Sequence, residues 1–150
     1  MRVVIQRAMK ASVTINEQET RSIQKGLMIL VGIANSDTDD DIKWLVNKIV
    51  NLRIFDDENG VMDRSVIDVD GEILVVSQFT LHARTKKGNR PSYVDAAKPE
   101  FSIPAYEQFK VALSQALGKS VVSGEFGASM AVELVNDGPV TILIDTKDKK

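Results

Sequence analysis

The sequence predicts a single α/β domain with a mixed, largely antiparallel sheet and two main helices. Three observations predict it. Short runs rich in β-branched residues recur along the chain, two stretches carry helical periodicity, and the regular strand–helix alternation of a doubly wound fold is missing. A chain of 150 residues suits one domain, 1–150, with one core.

The elements follow in order. "RVVIQRA" (2–8) and "ASVTINE" (11–17) read as strands, and "LMILVGIA" (27–34) reads as a central strand buried on both faces. In "SDTDDDIKWLVNKIVNL", Ser36 or Asp37 is expected to cap a helix. Asp39, Asp40 and Asp41 suit its positive end, and Ile42, Leu45, Val46 and Ile49 share one face. Helix-start chemistry thus explains the acidic run without a metal. "RIFDDENGVM" (53–62) reads as a strand and a turn at Asn59-Gly60, and "EILVVSQF" (72–79) as a second buried strand. Leu81 to Lys98 reads as an extended loop.

The second helix is expected over Ile103–Leu117, with Pro104 in its first turn, Gly118 as its stop, and Ala105, Phe109, Ala112, Leu113 and Ala116 as its apolar stripe. "SVVSG" (120–124), "MAVELVN" (130–136) and "VTILIDT" (140–146) read as three strands, the last two joined tightly at Asp137-Gly138-Pro139. Residues 145–150 are expected to be a flexible tail, since "KDKK" is too polar to pack.

Composition narrows the function. The net charge is -2, which argues against an extensive nucleic-acid surface, although Arg84, Lys86, Lys87 and Arg90 gather in one segment. Cysteine is absent, which removes disulfides and thiolate chemistry and fits a reducing compartment. With one histidine, a structural zinc site is not expected. No apolar run approaches the roughly 18 residues of a membrane span, and no secretion signal is read at the start.

Two places draw chemical interest. "VVSQFTL" ends an apolar strand in neutral polar residues, Ser77, Gln78 and Thr80, around Phe79. Thr80 is a poor nucleophile without a base, and the only near candidate is His82, two residues away. Backbone amides at the end of a strand can instead hold a carbonyl oxygen as it gains charge. The competing explanation is a strand end whose polar side chains satisfy loose backbone groups. The second place is Gly138-Pro139, where a cis bond would turn successive carbonyls one way, to accept from an ammonium group, and where a plain turn is the alternative.

"SQFT" (77–80), "KGNRPS" (87–92) and "NDGPVT" (136–141) occur together in this order, with "MRVVIQRAMKASVTI" at the start and "NLRIFDDENG" between. In this combination the chain closely resembles the D-aminoacyl-tRNA deacylase family over nearly its whole length. The resemblance implies a homodimer of three-layer α/β/β subunits with active sites at the dimer interface, working in the cytoplasm without metal or organic cofactor. It implies hydrolysis of the ester between a D-amino acid and the 3′-terminal adenosine of tRNA, with mischarged glycyl-tRNA as a further substrate. It makes Ser77, Gln78, Phe79 and Thr80 the reaction pocket, with Thr80 as its key threonine and the Phe79 and Thr80 amides as candidate oxyanion donors. Either Thr80 is then the nucleophile, or the backbone donors polarise the ester while the substrate's own 2′-hydroxyl assists water or the leaving group, and the absence of an obvious base favours the second. It makes Gly138 and Pro139 a chirality filter that enters the other subunit's pocket and holds the α-amino group. It places the terminal adenosine at Phe126, Gly127 and Met130, and makes Arg7 the brace of the Gly-Pro loop. Lys86 and Lys87 are either a guide for the acceptor end or a solvated loop, and Arg90 is a candidate brace beside Pro91.

Three rival functions remain: a noncatalytic nucleic-acid-binding module on the same fold, a Ser/Thr esterase using a Thr80–His82 pair, and a purely structural domain.

Overall fold

The computed structural model describes residues 1–150. Strands β1 (Arg2–Ile15), β2 (Glu19–Ile23), β3 (Gly26–Gly32), β6 (Glu72–Ser77), β7 (Val122–Ser123) and β8 (Met130–Asp145) form one six-stranded sheet. β4 (Phe55–Asp56) and β5 (Met62–Arg64) form a separate small ladder. The helices are α1 (Asp39–Asn51) and α2 (Pro99–Leu117).

The sheet is mixed. β1 pairs antiparallel with β2, β3 and β8, whereas β3–β6 and β6–β7 are parallel. β1 is one long strand where the sequence suggested two. β2 and β3 pair with successive halves of it, so one 14-residue strand serves two neighbours on one edge and β8 on the other.

Alternation along β3 and β6 builds the layers. Leu27, Ile29, Val31, Ile73 and Val75 point to the helices and join Ile42, Leu45, Ile49, Phe109 and Leu113. Met28, Leu74 and Val76 point the other way, onto Ala11, Val13, Ile15 and Ile23. Helices, central strands and the curled-over halves of β1, β2 and β8 therefore stack as α/β/β. Register shifts between Gln6 and Lys10 let β1 leave one core and enter the other.

Several boundaries differ from the sequence reading, each for a physical reason. Thr38, not Ser36 or Asp37, caps α1, in a reciprocal box with Asp41. Asp37 is occupied elsewhere, since it pairs with the Met1 amine and accepts from the Ala34 amide. α2 begins at Pro99 rather than Ile103, because a proline opens a helix well, and this leaves Pro104 within the helix. Its buried side is Ser102, Tyr106, Phe109, Leu113 and Leu117, and Ala116 is exposed. β8 runs from Met130 to Asp145 through Asp137-Gly138-Pro139, where two strands and a connection were expected. The expected tail is tied down further than its composition suggests. Thr146 is buried, Lys147 Nζ lies 2.7 Å from Asp41 Oδ2, and Lys149 stands over the Trp44 ring.

Candidate functional site

β6 is paired on both sides through its apolar part and stops at Ser77, two residues before the expected end. Gln78 N still donates to Val31 O at 2.8 Å. The chain then tightens into a 3-10 turn, Phe79–His82, in which Leu81 N donates to Gln78 O at 3.2 Å. The first amides of such a turn have no partner within it. Accordingly, the N–H groups of Phe79 and Thr80 donate to no backbone or side-chain acceptor of the chain.

This strand end opens on a cavity of about 620 Å³. Ser77, Gln78 and Phe79 line it on one side, and Phe126, Gly127 and Met130 on another. The resemblance assigns the first three to a reaction pocket and the last three to an adenosine site, and the fold brings both groups to one cavity. Its remaining wall was not foreseen: Tyr93, Lys98, Pro99 and Ser102 contribute from the loop and the first turn of α2. Pro99 as a helix opener is the signal that would have placed that turn. Phe79 packs edge-on against Tyr93 with ring centroids 5.0 Å apart, and Phe126 against the buried Tyr106 at 5.9 Å. Burial pushes the Tyr106 phenol above its ordinary range, and its hydroxyl donates to Val75 O at 3.3 Å. It thus serves as a neutral prop beneath the cavity.

Thr80 lies just past the cavity wall. Its Oγ1 accepts from Gln78 Nε2 at 2.5 Å, and no basic group bonds it. His82, the one candidate base, is buried beneath the turn and makes no hydrogen bond to Thr80. A threonine hydroxyl that receives a donor and faces no base is not activated for attack.

The Gly138-Pro139 peptide is cis, and Gly138 has φ 127°, a conformation that favours glycine. Arg7 holds the approach to it. Its Nε donates to Asp137 O at 3.0 Å, and its Nη1 to Ile54 O at 2.7 Å and Asp56 Oδ1 at 3.2 Å. Asn136 Oδ1 accepts from Val140 N at 3.1 Å across the same bend. Gly138, Pro139 and Arg7 take no part in the wall of the 620 Å³ cavity.

The basic segment is a closed loop. Arg84 and Ser92 exchange backbone bonds at 2.8 and 3.0 Å, and Arg84 grips Asp95 with bonds of 2.5 and 2.6 Å. Arg84 therefore braces this loop, where Arg90 had been the candidate, and Lys86, Lys87 and Arg90 stay exposed. A larger cavity, about 710 Å³, lies between Trp44, Lys48 and Leu143 and contains none of the residues singled out by sequence.

The profile of the family described as D-Tyr-tRNA(Tyr) deacylase matches residues 4–145. The chain is 69% identical to a D-aminoacyl-tRNA deacylase of Bacteroides fragilis and 61% identical to one of Flavobacterium johnsoniae, in each case over all of both chains. Among solved structures it is similar to that of a c-Myc DNA Unwinding Element Binding Protein, with a TM-score of 0.91 and 40% identity, covering 97% of this chain and 98% of that one. Fold, site and likeness define an enzyme of the deacylase class, a hydrolase of aminoacyl-tRNA esters. The chain belongs to the D-Tyr-tRNA(Tyr) deacylase family.

Proposed function

We propose that this protein hydrolyses the ester joining a D-amino acid to the 3′-terminal adenosine of tRNA, in a site shared between two copies of the chain. The observation that carries the reading is the pair of unpartnered amides, Phe79 and Thr80, at the mouth of a cavity with no activated side-chain nucleophile. Such amides suit a carbonyl oxygen that becomes an oxyanion.

Phe126, Gly127 and Met130 hold the terminal adenosine, with Phe126 offering a ring face to the base. Water adds to the ester carbonyl carbon while the two amides stabilise the new oxyanion. The tetrahedral adduct then collapses. The bond to the ribose 3′-oxygen breaks, and a proton originating on the water reaches that oxygen with the neighbouring 2′-hydroxyl as relay. The products are free tRNA and the D-amino acid. No proton is assigned to His82, and Thr80 acts through its N–H.

The Gly138 and Pro139 carbonyls accept from the substrate's α-ammonium group. With ammonium and ester both fixed, an L side chain runs into backbone and a D side chain points away, so selection is by exclusion. Glycine, with no side chain, passes the filter, which makes mischarged glycyl-tRNA a further substrate. Within one chain the loop stands outside the cavity, which supports its supply by a second copy, with Arg7 bracing the supplied loop. Exposed apolar side chains at Phe79 (55%) and Leu143 (74%) give that copy something to cover. The reaction places the enzyme in the cytoplasm with the translation machinery.

Matched D- and L-aminoacyl-tRNA carrying the same amino acid test this reading, each with and without chelator. Release of the D-amino acid alone, unaffected by chelator, is expected. Equal release of both enantiomers would remove the filter, and loss of activity with chelator would remove the metal-free site. Absence of release from either would favour nucleic-acid binding without catalysis, and the 40% identical structure is of a protein named for binding DNA.

A further inference from the structure

The turn carrying Phe79 and Thr80 rests on two residues that the proposed chemistry does not use. His82 closes the turn and is 6% exposed, and its Nε2 is buried without a hydrogen-bond partner. Beneath it lies Gly32, at the end of β3. A Cβ on Gly32 would stand 2.9 Å from Gln78 O, 3.0 Å from Leu81 Cβ and 3.1 Å from His82 Cδ2. The glycine is therefore required by space, because the turn lies directly on its backbone.

The contact is fixed from both ends. Gln78 N donates to Val31 O at 2.8 Å, and Arg2 Nη1 donates to Leu81 O at 3.1 Å. Arg2 is itself held by Asp145 at 2.7 Å. A buried nitrogen without a partner is unfavourable, so hydrogen bonding does not account for a histidine here. Its shape does, since the ring fills the space between the turn and β3.

We propose that Gly32 and His82 are positioning residues, which together set the height of the turn and so the aim of the Phe79 and Thr80 amides. The inference rests on the role given to those amides under the proposed function. A shift of about 1 Å in such a group is enough to cost about 100-fold in rate.

Three variants and two readouts test it. Gly32→Ala should lower kcat on D-aminoacyl-tRNA by about 100-fold and His82→Ala by about tenfold, with KM changed by no more than about twofold. His82→Phe, which refills the space without a nitrogen, should restore most of what His82→Ala loses. In parallel, the backbone amide NMR signals of Phe79 and Thr80 should move in Gly32→Ala and His82→Ala and return towards wild type in His82→Phe. If the wild type proves inactive yet those signals move and return, the positioning stands and the deacylase reading falls. If the signals stay put, or if His82→Phe is no better than His82→Ala in both readouts, the positioning is overturned. Should Gly32→Ala fail to fold, the two His82 variants decide the matter alone.

Discussion

The two halves of the proposed site are held in different ways. The Phe79–His82 turn is fixed by its own backbone, by the parallel strand beside it and by close packing on Gly32. The Gly138-Pro139 bend stands on one buried side chain, Arg7, whose guanidinium reaches Ile54, Asp56 and Asp137 together. Backbone geometry that must present N–H groups is secured by many weak constraints. The carbonyls of the bend are secured chiefly by one charged brace, with Asn136 closing the bend beside it. The first half should therefore lose most where a backbone donor is removed or its packing on Gly32 is crowded, and the second where the Arg7 side chain is lost.

The largest effect is expected where the backbone donor itself is removed. Thr80→Pro deletes one of the two free amides and should lower kcat by about 1000-fold. Thr80→Val keeps the amide and should cost no more than about tenfold. Equal losses in single-turnover assays of the two variants would make the hydroxyl the nucleophile. Arg7→Ala comes next, with about 100-fold lost in kcat and about 2 kcal/mol of stability lost to unpaired buried groups. Chemical denaturation beside the rate assay separates the two losses, and Arg7→Lys should not repair either, since the single point of an ammonium cannot span acceptors that the planar guanidinium reaches from Nε and Nη1.

Phe126→Ala should raise KM about 30-fold with little change in kcat, the loss of one stacked base at about 2 kcal/mol. The smallest effect lies outside the site. Burial would raise the Asp41 carboxyl, but its bonds from Lys147 and Thr38 prevail and hold it well below the usual carboxylate range. A lowered folded-state value stabilises the fold above the ordinary range near pH 4, and that contribution fades as pH falls below it. Asp41→Asn should therefore cost about 1 kcal/mol at pH 7, leave deacylation unchanged, and lose less stability than wild type on acidification, as denaturation at stepped pH will read.

Much of this was legible in the sequence because it depends on neighbours in the chain. The apolar runs of β3 and β6, the face of α1 and the polar close of β6 are local patterns. What was hidden depends on distant partners. Asp37 has the composition of a cap but is taken by the Met1 amine, which leaves the cap to Thr38. The lysine-rich end looks too polar to pack, yet Asp41 and Trp44 on α1 receive it. Arg90 sits beside the proline, but Arg84 finds Asp95. In the site, the cavity wall from α2 could not be placed until the start of that helix was known. The cis state of Gly138-Pro139 was permitted by its residues and not dictated by them.

The claim that joins both halves is that each site takes its turn from one copy and its loop from another. Mixing inactive Thr80→Pro with inactive Gly138→Ala, unfolding them together and refolding, tests it directly. Half of the random dimers are mixed, and each mixed dimer has one intact site. The account predicts return of about a quarter of wild-type D-aminoacyl-tRNA deacylation. A mixture no more active than its two components would place turn and loop in the same chain and contradict the shared site.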